Sequence, residues 1–249
     1  MTTSPSPRGD RLAVVIGSSL AAHPFAGTTL RRLTVEGHDA RPVEVQLHER
    51  DGLVVLMRHG TEGTVPAHLV DHHAHVRALS EAGCDRVLAL GSAGGLHGHL
   101  GPGTVLVPDD FLALTTYPTF HDTTDGYRMA AIDMAWRSQV IEAWRGATAT
   151  SFVDGGTYAM VRGPRFETPA EIRLLAAFAD LVGMTWPAEC ILAGEAGLPY
   201  AVVCKVDNLA NGVEGHATSV EEYRERTAAD AGRLAADLVA VVNRLLTGA

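Results

Sequence analysis

Val87-Leu88-Ala89-Leu90-Gly91-Ser92-Ala93-Gly94-Gly95 decides the reading of the fold. Four consecutive apolar residues leave no polar side, so this strand is covered on both faces, as strands of parallel sheets are. The glycine run then reads as its stop, at Gly91. The same pattern recurs outward in both directions. Residues 12–16 form an apolar run ended by Gly17, 53–57 form another, and 104–107 form a strand ended by Pro108. Further strands are expected at 157–161, 181–184 and 200–206, and 43–47 alternates apolar and polar. Between them, helices are expected over 65–82 (stopped by Gly83), 129–144, 168–178, 189–196 and 219 to about 246. Thr168-Pro169-Ala170-Glu171 carries a capping box with proline in the first turn, and Ser219-Val220-Glu221-Glu222 repeats the box. Apolar strands alternating with helices predict one α/β domain, its mixed, largely parallel central sheet flanked by helices.

The composition agrees with this. The chain has 249 residues, 46% of them hydrophobic and only 20% charged, enough for one sizeable core. A formal net charge of −9 argues against nucleic acid as a partner, because phosphate backbones select a basic face. There is no apolar run of about 18 residues, so no membrane span is expected. Residues 1–10 lack an apolar stretch and read as a frayed tail rather than a secretory signal, leaving 11–249 as the domain. Cys84, Cys190 and Cys204 are an odd set without a CxxC pair, which fits buried free thiols in a reducing cytoplasm.

Open parallel sheets bind ligands beyond the carboxyl ends of their strands. Chemistry is therefore sought in the residues just past each apolar run: Gly17-Ser18-Ser19, Arg58-His59-Gly60, Gly91-Ser92-Ala93-Gly94-Gly95, Thr185, and Asp207-Asn208. Hydroxyls, glycine N–H groups and one guanidinium make a set suited to a phosphate. A single Gly-Ser at a strand end is an ordinary tight turn, and the glycine run is neither GxGxxG nor a P-loop. The joint occurrence at successive strand ends carries the reading. His72, His73 and His75 lie within the expected helix without the further ligands a zinc site needs, so no metal is expected there. His97 and His99 flank glycines in a loop, where exposure is the default. Lys205 stands inside an apolar strand, where it lies at a sheet edge, pairs with an acid, or faces a ligand.

These motifs resemble the trimeric purine nucleoside phosphorylase and methylthioadenosine phosphorylase family. The resemblance is carried by Arg58-His59-Gly60, Pro66-Ala67-His68, Gly91 through Leu96, and Leu100-Gly101-Pro102-Gly103. It is strongest in Gly156-Thr157-Tyr158 and in Gly163-Pro164-Arg165-Phe166-Glu167-Thr168-Pro169-Ala170-Glu171, followed by Val182-Gly183-Met184-Thr185 with Glu189 and by Ala196-Gly197. It implies the nucleoside phosphorylase fold and phosphorolysis: inorganic phosphate attacks C1′ of a purine nucleoside, releasing the base and a pentose 1-phosphate. No cofactor is implied, only phosphate as co-substrate, and the assembly implied is a homotrimer.

The resemblance assigns Ser18, Arg58, His59, Ser92 and Thr185 to phosphate, with Asn208, Arg58 and His59 as the catalytic set. Ala93, Gly94, Tyr158, Phe166, Glu167, Gly183, Met184, Asn208 and Val220 fall to the nucleoside. An Asn at 208 can offer its NH2 to a 6-keto oxygen and its carbonyl to N7–H, where an Asp would accept from a 6-amino group. Asn208, with Ala210 where the adenine-type branch has a second Asp, points to a 6-oxopurine. Val220 suits an apolar 5′ substituent and His216 a 5′-hydroxyl, so inosine, guanosine and 5′-methylthioinosine all stand as substrates. The chain departs from the family at Asp71-His72-His73, at Trp186-Pro187-Ala188-Glu189, and in a short loop over 114–128. The alternatives are methylthioadenosine or another 5′-modified nucleoside as substrate, a hydrolytic nucleosidase, and a non-catalytic nucleoside-binding relative. Retention of the whole anion set disfavours the nucleosidase, since water needs no such clamp.

Overall fold

The computed structural model describes residues 10–20, 22–114, 118–129, 132–217, 219, 221, 225–226 and 229–248. Among them eleven strands join in one sheet. They are β1 (Leu12–Ile16), β2 (Thr29–Glu36), β3 (Pro42–Arg50), β4 (Leu53–Met57), β5 (Arg86–Gly95), β6 (Val105–Val107), β7 (Asp110–Leu112), β8 (Val153–Asp154), β9 (Thr157–Met160), β10 (Leu181–Gly183) and β11 (Tyr200–Leu209). The main path runs β2-β3-β4-β1-β5-β10-β9-β7, while β11 pairs with β5 and β6, and β6 with β8. The heart of the sheet, β4-β1-β5-β11, is parallel. The β2-β3-β4 edge is an antiparallel meander, and β10 meets β5 antiparallel.

The helices are α1 (His72–Glu81), α2 (Met134–Ala147), α3 (Pro169–Leu175), α4 (Trp186–Glu195) and α5 (Ala231–Thr247). Because side chains alternate along a strand, the central strands feed two cores. Ala13 and Val15 of β1, with Val202 and Cys204 of β11, pack on the side of α1 and α4. Leu12, Val14 and Ile16, with Ala201 and Val203, pack on the side of α2 and α5. This is the two-sided burial expected of strands without a polar face.

Several boundaries differ from expectation. The helix expected over 65–82 is broken: a short 3-10 turn spans Ala67–Leu69, and α1 starts only at His72 because the Asp71 side chain accepts from the Ala74 N–H and caps it. The strand expected to stop at Gly91 continues to Gly95, held by β11 on one side and β10 on the other. The capping box of α3 forms as expected, with Thr168 and Glu171 bonded reciprocally. The second box, at 219–222, lies partly outside the described residues, as do residues 1–9 of the expected tail. Among the described residues, no helix is long and apolar enough to cross a membrane.

Candidate active site

A cavity of about 560 Å³ opens at the carboxyl ends of β1, β4, β5 and β11. Ser18, Arg58, His59, Ser92 and Thr185 all line it, although they come from separate parts of the chain. The parallel register explains the convergence: β1 lies between β4 and β5, so Gly17-Ser18, Arg58-His59 and Ser92 end side by side. Ser18 Oγ donates to Ser92 Oγ at 3.1 Å, and the Oγ of the buried Ser19 lies 2.7 Å from the same oxygen. Thr185 precedes α4 without spending its side chain as a cap, and it lines the cavity.

Arg58 is 1% exposed and bound on three sides. Its Nε and Nη2 donate to Glu189 at 2.5 and 2.8 Å, and Nη1 donates to the Leu90 carbonyl at 2.9 Å. Tyr200 donates its hydroxyl to the same carboxylate at 2.9 Å, and His72 Nδ1 stands 3.5 Å from it. Burial works against both charges, but each ion stabilises the other: the Arg58 pKa is held above its ordinary value and that of Glu189 well below. A guanidinium has five N–H groups, so three fixed bonds leave two for a ligand. The orientation depends on Gly17, because any Cβ there would collide with Arg58 Nη1 and stand 2.9 Å from the Leu90 carbonyl.

His59 Nδ1 lies 2.8 Å from the Val65 carbonyl. A carbonyl only accepts, so Nδ1 carries the proton and the neutral ring offers Nε2 as an acceptor. Burial, and next the Arg58 charge, lower its pKa and favour that neutral form. His72, His75 and Glu189 bring one possible metal-ligating atom each within 4.8 Å of one another. Both Glu189 oxygens accept from Arg58, and one also from Tyr200, so among the described residues the carboxylate joins these histidines to an ion-pair network around the guanidinium.

The other wall of the cavity is apolar with three polar groups. Ala93, Gly94, Phe166, Gly183 and Met184 line it, together with Glu167, Asn208 and Asn211. Burial raises the pKa of Glu167, which is 8% exposed. Asn208 Nδ2 donates one hydrogen to the Leu209 carbonyl at 2.7 Å. The same amide carries a second N–H and a carbonyl oxygen, the donor and acceptor that reading a purine edge requires. Asn211, not anticipated from the sequence, ties the end of β11 to the loop before α3 by donating to the Glu167 carbonyl at 3.0 Å. Ser19 and Glu189 stood among the quoted motifs without an assigned role; for Glu189 the signal was a carboxylate next to an apolar run, which needs a cation.

Tyr158 departs from expectation. It is not among the cavity-lining residues but fully buried, its ring 4.8 Å from Trp186, behind Gly183. It shapes the wall from behind because β9 pairs with β10 and points the ring into the core. Val220 lies outside the described residues.

The sequence profile of the Phosphorylase superfamily matches residues 11–243. The chain belongs to this superfamily. It is 32% identical over 185 residues to a protein of Archaeoglobus fulgidus named "Probable 6-oxopurine nucleoside phosphorylase", covering 74% of this chain and 76% of the relative. It is also 32% identical over 189 residues to a Methanocaldococcus jannaschii protein named "Probable S-methyl-5'-thioinosine phosphorylase", covering 73% of each. Among solved structures, methylthioadenosine phosphorylase from Schistosoma mansoni in complex with adenine superposes with a TM-score of 0.81 at 25% identity, over 94% of this chain and 90% of that one. The α/β architecture expected from the apolar strands is thus that of the nucleoside phosphorylases.

Proposed function

We propose that this superfamily member cleaves the N-glycosidic bond of a 6-oxopurine nucleoside with inorganic phosphate, yielding the free purine and a pentose 1-phosphate. The observation that carries the reading is one cavity with an anion-binding end and a base-binding end. Three hydroxyls and the Arg58 guanidinium stand at one end, and the Asn208 amide and Glu167 carboxyl at the other. The names of the Archaeoglobus and Methanocaldococcus relatives support it.

The chemistry rests on that layout. As the bond to the base lengthens, the sugar becomes cationic and the base anionic. A phosphate held by Ser18, Ser92, Thr185 and Arg58 beside C1′ is both counter-ion and nucleophile. Hydrogen phosphate dianion carries one O–H, which the His59 Nε2 lone pair accepts, aiming the unprotonated oxygens at the sugar. Asn208 donates to O6, where the departing base gathers negative charge; N7 takes a proton from solvent as the C–N bond breaks, and the Asn208 carbonyl oxygen accepts from the N7–H so formed, while Glu167 addresses the far edge of the ring. No step calls for a cofactor or metal.

Omitting phosphate tests the reading. Inosine, guanosine, 5′-methylthioinosine, adenosine and 5′-methylthioadenosine are each incubated with and without phosphate, and purine release is measured. Release from 6-oxo substrates only with phosphate is the expected outcome; release without it makes the chain a hydrolase, and no release from any refutes catalysis. The same panel separates a 5′-hydroxyl from a 5′-methylthio group. We further propose a homotrimer in the cytoplasm. Exposed Leu114, Tyr127, Met129 and Phe178 offer apolar surface for a second copy, and the three buried free thiols suit a reducing compartment. Light scattering tests the trimer.

A further inference from the structure

Lys205 and Asp207 are a buried ion pair that the reaction does not use. They are 3% and 1% exposed and stand 3.1 Å apart on β11, directly before Asn208. Nζ of Lys205 also donates to the Arg226 carbonyl at 3.0 Å, so one ammonium joins the strand to the segment leading into α5. At this point the β11 register slips by one residue: Val206 stands opposite Ala93, but Asn208 stands opposite Gly94. Asp207 is the inserted residue of a bulge.

The bulge has a geometric consequence. Val202, Cys204 and Val206 face the α1–α4 core, and simple alternation would send Asn208 to the same side. A slip of one residue reverses the parity of everything beyond it. Asn208 instead takes the parity of Gly94 and Ser92 and lines the cavity with them, while Ala93, opposite Val206, reaches it with a methyl group from the other face. Bulges of this kind re-aim side chains beside active sites, and this one has a lysine and an aspartate where residues 201–204 before it carry only apolar side chains.

We propose that the Lys205–Asp207 pair is a positioning device that holds the bulge and thereby aims Asn208 at the base. This rests on the nucleoside phosphorylase reading above. Lys205→Met alone removes the ammonium that faces a buried carboxylate and lowers stability. The decisive variant is therefore Lys205→Met/Asp207→Asn, which is neutral and close in shape. Thermal unfolding, base preference and the two substrates' kinetic constants are measured on the full chain. The double variant should keep a Tm near that of the unsubstituted protein. Its kcat/KM for the nucleoside should fall about 10- to 100-fold, the scale of a misaimed reacting group. The phosphate KM should stay within about twofold, because the anion end is untouched. The ratio of 6-oxo to 6-amino activity should narrow. A folded double variant with unchanged nucleoside constants and ratio overturns the positioning role. So does one that fails to fold, since the pair is then a requirement of the core. An unsubstituted chain that cleaves no purine nucleoside overturns the reading of the cavity instead, and this inference with it.

Discussion

Replacing Glu189 with Gln tests how the anion end is built. The substitution keeps the side-chain shape and removes the charge facing Arg58, with which Glu189 makes bonds of 2.5 and 2.8 Å. It also turns an amide N–H toward groups that are themselves donors, namely Arg58 and the Tyr200 hydroxyl. Both ions are nearly inaccessible, at 1% and 2% exposure, so water cannot take over. Breaking one side of such a buried pair costs about 3–5 kcal/mol. For a chain of this size each kcal/mol lowers Tm by about 2–4 °C, so Glu189→Gln should melt roughly 6–20 °C below the unsubstituted protein. Differential scanning calorimetry reads this directly, and the phosphate KM should rise in the same variant because the guanidinium is no longer oriented. A companion, Arg58→Met/Glu189→Met, removes both charges and should recover most of the Tm while losing phosphate-driven cleavage. A fall below about 2 °C for Glu189→Gln, the size expected of a solvent-screened surface pair, would refute the reasoning.

Three further outcomes are expected. Asn208→Asp should shift the ratio of 6-oxo to 6-amino kcat/KM toward 6-amino by about 100-fold, since polar groups built for one edge are left unpaired by the other; an unchanged ratio removes Asn208 from base recognition. Gly17→Ala places a methyl against Arg58 Nη1 and the Leu90 carbonyl, and should raise the phosphate KM about tenfold while moving the nucleoside KM little; equal effects on both terms would argue against it. His75 has its pKa lowered from 6.5 to about 4, by burial first and then by His72. The unfolded chain gains a proton below pH 6.5 that the folded chain refuses until about pH 4, so stability falls as pH drops through that window, by about 3 kcal/mol at the bottom. His75→Gln should therefore show a smaller Tm loss between pH 7 and pH 5, and an acid slope equal to that of the unsubstituted protein would contradict this origin.

The central strands were legible because nothing polar interrupts them, and the strand-end hydroxyls because the parallel register brings them together. What escaped has specific causes. Gly91 to Gly95 looks like a turn, yet glycine is needed there for packing within the strand. A Cβ at Gly91 would stand 3.2 Å from Cys204 Sγ, and one at Gly95 would strike the Leu100 carbonyl. β2 escaped because it is an exposed edge whose residues show little apolar alternation. Strands β7 and β8 span three and two residues, too few for any period to show. Tyr158 was given to the nucleoside by the resemblance alone, and a matched position does not say which side of the sheet the ring takes. The buried roles of Glu189 and Lys205 needed their partners, Arg58 and Asp207, in space; the sequence left Lys205 with three options, and the pairing with an acid is the one observed.

The continuation of β5 through Ser92 has a last consequence. Its amides are locked in a ladder with β11 and β10, so this part of the anion end belongs to the rigid framework rather than to a closing flap. Preorganisation of this kind means that little conformational entropy is lost there when an oxyanion arrives. Evolution can then rewrite the surrounding loops, and with them the preferred nucleoside, while dependence on the same small inorganic co-reactant is inherited intact.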